Sequence, residues 1–515
     1  MCTTRQYITS DCDAVGDQAM RTKYPNVTEG VAASIKAGTD NDCGGTYGRQ
    51  LGIALDASLV SEADIDERLM MLWKVRLRLG HFDPVGPLNK IAPNATICTD
   101  NAVATSMQGT IQGAALLKND NHALPLRPFP AGQIAVIGPN ADANATRTGY
   151  YGPRVPCGNR YWTALDAIKK YADPARVSFA AGVPNATSAD TSGIPAAAEL
   201  AKAADTVFLV LGTSLAWAEE GHDAAQINFT AAQQQLIDAT LAVAKNPVVV
   251  LLLTAVPLDI SQLLASPKVG AVLHLGQPSV TVLGAAQLIY GKVSPSGRTV
   301  QTFYKAEYQD QISIFDFNMR PGPSTFARPD CFLNESQCPR GTNPGRTHRF
   351  YTGTPVVPFG FGLSYTRFSY SLASAPVGPV SLAPVQQLLD ATTAAGRTFV
   401  ASELAAAAAP VAAYSLNVTN TGTVDADDVV LGFLTPPGAG TAGVPLQTLF
   451  GFERVFVKAG ETVQVYLYPA LTDFAQVNPE GNREVLAGSY TVRFGLAETA
   501  GLGMGHVECT LSTIE

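Results

Sequence analysis

Between about residues 105 and 315, short apolar runs alternate with segments of helical spacing, and this alternation constrains the fold more than any other feature. The longest apolar run, PVVVLLLTAVPL at Pro247–Leu258, is shorter than the about 20 residues needed to cross a bilayer, so it predicts a buried strand and no membrane span. Strands are expected at Gln133–Ile137, around Val177, at Thr206–Leu211 and at Val248–Leu253. Helices are expected at Thr105–Leu117, Ala164–Tyr171, Ala196–Ala203 and Thr230–Ala244. Strands separated by helices predict a mostly parallel sheet covered on both faces, which is an α/β domain.

The segments on either side of this domain have different patterns. Residues 1–84 read as alternating strand and helix, with a short strand at Tyr7–Ser10 and a long helix that begins at Ser61. Residues 413–515 hold short strands separated by turns, a spacing typical of an antiparallel β-sandwich. The segment 371–412 is rich in Ala and Pro and is interpreted as a linker or a covering segment. The sequence therefore predicts a chain of class α/β plus all-β, with domains at 1–84, 105–315 and 413–515.

Composition narrows the classes of partner and cofactor. The formal net charge is −8 and no basic block exceeds a couple of residues, so we expect no nucleic-acid partner. The hydrophobic fraction of 46% is that of a globular chain and excludes a disordered one. The six histidines are scattered and the eight cysteines form no C-x-x-C pair, which argues against a metal site. A phosphate-binding G-x-x-x-x-G-K-[ST] loop is also missing from the sequence, which argues against a nucleotide site of that type.

Two sequence features indicate whether the protein is secreted, and they point to opposite answers. Seven N-x-[ST] sequons indicate a glycosylated, secreted protein; they lie at Asn26, Asn94, Asn144, Asn185, Asn228, Asn334 and Asn417. The opening MCTTRQYITSDCD nevertheless has neither the basic nor the apolar region of a signal peptide. Cys331 and Cys338 flank a loop that carries one of the sequons, and we expect a local disulfide between them.

Two acidic clusters could carry chemistry. The first is Ser10-Asp11-Cys12-Asp13, at the end of a predicted strand, and the second is Glu219-Glu220-Gly221-His222-Asp223, in the loop after Leu211. Ligands approach the carboxyl ends of strands in parallel sheets. Glycoside hydrolysis needs two carboxyl groups, one that attacks the anomeric carbon and one that protonates the leaving oxygen. A solvated acidic turn is the alternative interpretation of each cluster.

The sequence YITSDCDAV at Tyr7–Val15 resembles the nucleophile motif of glycoside hydrolase family 3, and it is most similar to the β-xylosidase branch found in plants and fungi. Further similar segments follow in the family's order: KAGTDNDCG at Lys36–Gly44, LLKN at Leu116–Asn119, AVIGPN at Ala135–Asn140, SPSGRTVQTFY at Ser294–Tyr304, PGRTHRFY at Pro344–Tyr351, VPFGFGLSYT at Val357–Thr366 and LFGFERVFVKAGE at Leu449–Glu461. The resemblance implies the C-terminal fragment of a TIM-type barrel, an α/β sandwich domain and a fibronectin type III-like β-sandwich. Because the similarity starts part-way through the barrel, we expect an N-terminally truncated member, either a shortened gene model or a truly short protein.

The resemblance also implies roles for individual residues. The nucleophile of the family corresponds to Asp11, and the acid/base glutamate corresponds to Glu220, with Glu219 as the runner-up. Cys12 stands where the β-glucosidase branch typically has tryptophan, which favours the xylosidase branch, and a pairing of Cys12 with Cys43 is a further hypothesis. Compared with the family motif E-x-E-G-x-D-R, this chain has alanine at its first position, Ala218, and at its last, Ala224.

The activity implied by the resemblance is that of a retaining, exo-acting β-D-xylosidase. It would release xylose from the non-reducing ends of xylo-oligosaccharides or arabinoxylan without a metal or organic cofactor, and some relatives also release L-arabinose. The alternative is a catalytically inactive carbohydrate-binding remnant or pseudoenzyme. That alternative is supported by the missing barrel strands, by the lost arginine of the acid/base motif and by the altered glycine loop at Gly276–Val282.

Overall fold

The computed structural model describes residues 7–21, 24–92, 96–143, 156–158, 160–278, 281–331, 333, 335–394, 410, 412–496 and 502–514. These residues fall into two compact units, Met1–Thr96 and Ile97–Glu515, and each is described by itself. The sequons at Asn94, Asn144 and Asn334 lie outside the described residues. Within the described ranges, none of the helices combines the length and the apolar character that a membrane crossing requires.

The first unit is mainly helical. Its helices are α1 (Ala14–Arg21), α2 (Val27–Ala37), α3 (Thr46–Asp56) and α4 (Glu62–Arg78). The long helix predicted to begin at Ser61 is confirmed. Ser61 caps α4 in a capping box, in which Ser61 Oγ accepts from the Asp64 N–H and the Asp64 carboxylate accepts from the Ser61 N–H. Residues of α2, α3 and α4 enclose a small core around Ile35 and Ala54.

The strand predicted at Tyr7–Ser10 is wrong in extent, since only an isolated parallel bridge between Thr9 and Asn41 is present. The reason is a side-chain contact: the Ile8 N–H donates to Asp40 Oδ2 at 2.8 Å and so has no strand partner. In chain order, Thr9 is followed by α1 and α2, and Asn41 is followed by α3 and α4, so each of the two parallel bridge residues precedes helices as the strands of βα units do. The fragment of a TIM-type barrel stays a prediction for this unit.

The second unit begins with the predicted α/β domain, which is confirmed. Its strands are β1 (Ala115–Asn119), β2 (Ile134–Ile137), β3 (Val177–Ala180), β4 (Thr206–Gly212), β5 (Val248–Leu253) and β6 (Val269–His274). Its helices are α5 (Asp100–Gly113), α6 (Ala164–Lys169), α7 (Ile194–Ala203), α8 (Ala231–Val243), α9 (Ser261–Ala265) and α10 (Gly284–Ile289). The sheet order is β1-β6-β5-β4-β2-β3, and every neighbouring pair is parallel except β1 with β6.

Alternate strand residues point to two separate apolar cores. Leu209 and Leu211 of β4 pack with α7 and α8, whereas Phe208 and Val210 pack with α5, α6 and α10. The helix predicted at Thr105–Leu117 is wrong at its C-terminal end, because Leu116 and Leu117 lie in β1. Pairing with β6 buries both side chains there, and this tertiary contact outweighs the local helical spacing.

The segment between the α/β domain and the sandwich contains short elements. They are α11 (Glu307–Gln311), β7 (Gly322–Ala327), β8 (Arg340–Asn343) and α12 (Thr347–Phe350). Strands β7 and β8 pair antiparallel around the Cys331–Cys338 disulfide, so that predicted pairing is confirmed.

The elements of the β-sandwich region are β9 (Phe368–Ser374), β10 (Val380–Ser381), α13 (Ala383–Ala394), β11 (Tyr414–Asn420), β12 (Ala426–Thr435), β13 (Thr448–Val457), β14 (Thr462–Leu467), β15 (Ala475–Val477), β16 (Arg483–Val485), β17 (Gly488–Gly495) and β18 (His506–Ile514). The sandwich consists of one sheet of order β14-β11-β9 and one of order β10-β18-β17-β12-β13. The predicted start at 413 is too late, because β9 pairs with β11 and buries Phe368 and Tyr370 in the sandwich core.

The α/β domain and the sandwich share one apolar core. Phe303 and Val357 pack in the same cluster as Leu431 and Phe433 of β12, together with β4 and β5 of the α/β sheet. A buried ion pair between Arg298 and the carboxylate of Asp428 crosses the same boundary. The two domains are therefore joined by side-chain contacts as well as by the backbone that connects them.

Candidate active site

Asp11 lies in an exposed turn between the Thr9 bridge and helix α1. Its carboxylate oxygen Oδ1 accepts a hydrogen bond from the Cys12 N–H at 2.7 Å, and its carbonyl accepts from the Ala14 N–H at 3.2 Å. Asp11 thus lies three residues before the first residue of α1, and its carboxylate is oriented by the neighbouring backbone.

Contacts with the segment that follows Asn41 hold this turn in place. Cys12 and Cys43 form a disulfide, as hypothesised from the resemblance. The Asp13 N–H donates to the Cys43 carbonyl at 2.6 Å, and the Cys43 N–H donates to Ser10 Oγ at 2.9 Å. Residues on both sides of Asp11 are thus bonded to a single segment of the chain.

Glycine at position 44 lets two acidic segments approach each other. A Cβ atom there would lie 2.8 Å from Asp13 Oδ1 and 3.3 Å from Asp42 Oδ1. The other Asp42 oxygen, Oδ2, accepts from the Tyr47 N–H at 2.9 Å at the start of α3. The carboxylates of Asp13 and Asp42 therefore both lie close to Gly44.

Glu219 and Glu220 lie in the loop from Thr213 to Thr230, between β4 and α8. The Glu219 N–H donates to the His222 carbonyl at 2.9 Å, and the His222 N–H donates to the Glu219 carbonyl at 3.0 Å. Glu220 and Gly221 form the tip of this tight turn, and Gly221 has the positive φ of 78° that favours glycine. Both glutamates are exposed to solvent.

The base of this loop is fixed more firmly than its tip. Gln233 of α8 is completely buried, and its side-chain amide bonds to the backbone of Gly212, the last residue of β4. Buried Trp217 donates from Nε1 to the Gln226 carbonyl at 3.3 Å, which ties the two limbs of the loop together.

A cluster of polar side chains, which the sequence did not predict, surrounds the start of the loop that carries Glu219 and Glu220. Thr213 contacts Thr254 through their hydroxyl oxygens at 3.3 Å, and it accepts a bond from Gln277 at 3.4 Å. Asn140 Nδ2 donates to the Thr213 carbonyl at 3.0 Å. The available signal was positional, because these residues closely follow the ends of the apolar strands β2, β4, β5 and β6.

His274, the last residue of β6, belongs to the same end of the sheet. Its Nε2 lies 3.2 Å from the Thr254 carbonyl, and its ring meets Phe303 edge-on. Burial lowers the pKa of His274 to about 4, so the ring is neutral near pH 7.

The structure groups Asp11 with Asp13 and Cys43 in the first unit, and Glu219 with His222 in the second. Among the described residues, no three His, Cys, Asp or Glu side chains are grouped in a way that could hold a metal ion.

Comparison with known proteins gives the class of this chain. Residues 114–365 match the glycosyl hydrolase family 3 C-terminal domain, and residues 428–497 match the fibronectin type III-like domain. An α/β domain followed by such a sandwich is thus the architecture of a class of glycoside hydrolases. Within that class, the chain belongs to glycoside hydrolase family 3.

Curated relatives of plant and fungal origin align with nearly all of this chain. The probable beta-D-xylosidase 6 of Arabidopsis thaliana is 32% identical over 506 residues, covering 95% of this chain and 60% of the relative. A beta-xylosidase/alpha-L-arabinofuranosidase 2 of Medicago sativa subsp. varia is 31% identical, with coverages of 95% and 60%. A probable exo-1,4-beta-xylosidase of Aspergillus fumigatus is 33% identical, with coverages of 96% and 59%. The chain therefore spans about 60% of the length of these relatives.

Solved structures also resemble this chain. A GH3 exo-beta-xylosidase in complex with a xylobiose aziridine activity-based probe has a TM-score of 0.80 at 28% identity, covering 99% of this chain and 61% of the other. A beta-glucosidase from Listeria innocua in complex with isofagomine has a TM-score of 0.73 at 20% identity, with coverages of 99% and 64%, and supports the fold alone.

Proposed function

We propose that this protein acts as a retaining, exo-acting β-D-xylosidase that releases xylose from the non-reducing ends of xylo-oligosaccharides and arabinoxylan. The observation that carries the proposal is the position of Asp11, an exposed carboxylate in the turn that leads into α1, within the segment that resembles the family's nucleophile motif. The similarity to plant and fungal β-xylosidases supports xylose as the sugar.

In this mechanism, Asp11 attacks the anomeric carbon while Glu220 gives its proton to the glycosidic oxygen of the leaving sugar. The products of this step are a xylosyl ester on Asp11 and a shortened oligosaccharide. Ionised Glu220 then takes a proton from water, and the hydroxyl group hydrolyses the ester with retention of configuration. Glu220 is preferred over Glu219 because it occupies the tip of the turn, whereas the Glu219 backbone is paired with His222 at its base.

The proposal also covers the location of the protein and a second class of substrate. The described residues contain three disulfides, Cys12–Cys43, Cys98–Cys157 and Cys331–Cys338, and disulfides form in oxidising compartments such as the secretory pathway. We therefore propose an extracellular protein. The relative named as both β-xylosidase and α-L-arabinofuranosidase supports L-arabinofuranosides as minor substrates.

A catalytically inactive carbohydrate-binding protein is the second candidate function. It is favoured by alanine at position 224, where the family motif has an arginine that would hold neighbouring carboxylates. Under this candidate, xylo-oligosaccharides bind but are not cleaved.

Labelling with a 2-fluoro-xyloside tests the nucleophile directly, because the fluorine slows hydrolysis of the ester. We expect the label on the peptide that contains Asp11, and none in Asp11→Asn. Glu199→Gln, which changes an exposed carboxylate on α7, serves as the control and should label normally. A label on another carboxylate would overturn the assignment of Asp11, and no label together with no turnover of an aryl β-xyloside would favour the inactive candidate.

A further inference from the structure

We propose that a cavity at the junction of the α/β domain and the β-sandwich binds a uronate, which is a sugar ring that carries a carboxylate. The cavity has a volume of about 300 Å³, at the lower end of the usual range for small-molecule sites. His348 of α12 and Phe359 line it from the segment that precedes the sandwich, and Gln447 and Arg493 line it from the sandwich itself. The site is separate from the loop that carries Glu220, and it does not rest on the proposed activity.

Two buried polar atoms of the lining have no hydrogen-bond partner among the described residues, namely Nε of Arg493 and Nδ1 of His348. Both side chains pack against the buried ring of Phe433. The Cζ atom of Arg493 lies 5.4 Å from the centroid of that ring, and the centroid of the His348 ring lies 6.0 Å from it. Nη2 of Arg493 donates to Gln447 Oε1, which fixes the guanidinium in place. Because a buried donor without a partner costs free energy, these atoms mark the position where a ligand would supply acceptors.

The charges around the cavity favour an anion. Among the described residues that line it there is no aspartate or glutamate. Burial, and to a smaller extent the charge of Arg349, lower the pKa of His348 to about 4, so its ring is neutral near pH 7. Burial and the neighbouring Arg320 likewise lower the pKa of Arg349. The positive charge at the cavity therefore comes from guanidinium groups, whose planar edge matches the two oxygens of a carboxylate.

The remainder of the lining is suited to the ring and hydroxyl groups of a sugar. The half-buried ring of Tyr351 forms part of the wall, and it meets Tyr304 edge-on at a centroid distance of 4.8 Å. Thr435 contributes a hydroxyl group and Gln447 an amide, and both groups can donate and accept hydrogen bonds. A free carboxylate as small as acetate would leave most of this surface without contact, so the carboxylate is assigned to a sugar.

Hydrogen bonds fix the walls of the cavity before any ligand arrives. The Leu446 N–H donates to the Arg349 carbonyl at 2.6 Å, which attaches the sandwich side to α12. The Thr347 N–H donates to the hydroxyl oxygen of Tyr304 at 2.7 Å. Thr347 has a φ of 61°, in the left-handed region that β-branched residues rarely adopt. Such strain persists only where the surrounding contacts impose it, and it is concentrated at sites that bind ligands.

Calorimetric titration of the full chain with D-glucuronate tests the site. We expect Arg493→Gln to weaken binding at least about tenfold, because it removes a charge-assisted hydrogen bond. Arg493→Lys keeps the charge but loses the Nε donor, so we expect a loss of about threefold to tenfold. His348→Phe keeps a ring against Phe359 and removes Nδ1, and a loss of about threefold is expected. Arg367→Gln is the matched control, because Arg367 is exposed and does not line the cavity.

Further ligands test the two parts of the uronate separately. D-Glucose has a similar ring without the carboxylate, and acetate has the carboxylate without the ring. We expect each to bind at least about tenfold more weakly than D-glucuronate. Equal binding of acetate would assign the cavity to a free carboxylate, and equal binding of inorganic phosphate would assign it to anions in general. Either result would overturn the uronate site.

The remaining outcomes separate this inference from the proposed function. If D-glucuronate does not bind, or if Arg493→Gln and Arg493→Lys bind it as tightly as the unchanged chain, the site is wrong even when aryl β-xylosides are hydrolysed. If the unchanged chain binds D-glucuronate through Arg493 but hydrolyses no xyloside, the site stands and the proposed activity is wrong. Far-ultraviolet circular dichroism of each variant confirms that folding is unchanged.

Discussion

The side-chain amide of Gln233 pairs with the backbone of Gly212 through two hydrogen bonds. Nε2 donates to the Gly212 carbonyl at 3.0 Å, and the Gly212 N–H donates to Oε1 at 3.3 Å. The same nitrogen donates to the Ala186 carbonyl at 2.9 Å. One buried side chain of α8 therefore holds the end of β4, from which the loop with Glu219 and Glu220 departs.

Replacing this amide should destabilise the protein. Gln233→Leu leaves buried backbone groups of Gly212 and Ala186 without partners, so we expect a loss of about 2–4 kcal/mol in the free energy of unfolding. Urea denaturation of the variant and of the unchanged protein measures this difference in the free energy of unfolding. Gln235→Leu, at an exposed position of the same helix, should change the free energy by less than about 0.5 kcal/mol. Equal effects of the two substitutions would mean that the pairing adds no stability.

Substitutions of the two glutamates distinguish their roles. We expect Glu220→Gln to lower kcat on xylobiose by about 10²–10⁴, because xylobiose needs protonation of its leaving oxygen. Its effect on a 4-nitrophenyl xyloside, a better leaving group, should be smaller, and azide should restore part of the rate. Glu219→Gln should change both rates by less than tenfold. The reverse pattern would assign the acid/base role to Glu219.

The stability of the α/β domain should depend on pH through His274. Its folded-state pKa of about 4 lies below the ordinary value of 6.5, so the unfolded state binds more protons between these values. This contribution is fully present above pH 6.5 and is lost as the pH falls toward 4, by about 3 kcal/mol in total. Denaturation of His274→Gln should give a flatter slope between pH 6.5 and 4. His122→Gln, which changes an exposed histidine, should keep the original slope.

Removal of the Cys12–Cys43 disulfide should weaken the segment that carries Asp11. This disulfide joins residues 31 positions apart, whereas Cys331–Cys338 joins residues 7 apart. By loop-closure entropy, the double variant Cys12→Ser/Cys43→Ser should lose about 1 kcal/mol more stability than Cys331→Ser/Cys338→Ser. Only the first variant should slow labelling of Asp11 by a 2-fluoro-xyloside. Equal labelling rates in both variants would show that the disulfide does not position the carboxylate.

Sequons differ in how the structure presents them. Asn185 and Asn228 are exposed in loops, whereas Asn417 is half-buried in β11, between β9 and β14. After expression in a eukaryotic secretory host, we expect glycans at Asn185 and Asn228 and lower occupancy at Asn417. Glycopeptide mass spectrometry measures the occupancies, and full occupancy at Asn417 with none at Asn228 would contradict the expectation.

Sequence patterns predicted the α/β domain well, because each parallel strand is a short, continuous apolar run that is easily separated from the helices. They were less reliable where tertiary contacts decide, as at Leu116, which pairs with β6, and at Tyr370, which is buried in the sandwich. The cluster of polar side chains around Thr213 could not be predicted, since its members lie far apart in sequence and each alone resembles a turn residue.

Fibronectin-type sandwiches are often regarded as independent modules that can be transferred from one protein to another. The sandwich described above does not fit that picture, because Phe433 packs into the core of the α/β domain and Asp428 receives its partner Arg298 from outside the sandwich. An exchange of this domain between relatives would have to carry the contacting α/β residues with it. A graft without them would bring together two uncovered apolar surfaces and an unpaired buried charge, so we expect the sandwich and the α/β residues that contact it to be inherited together.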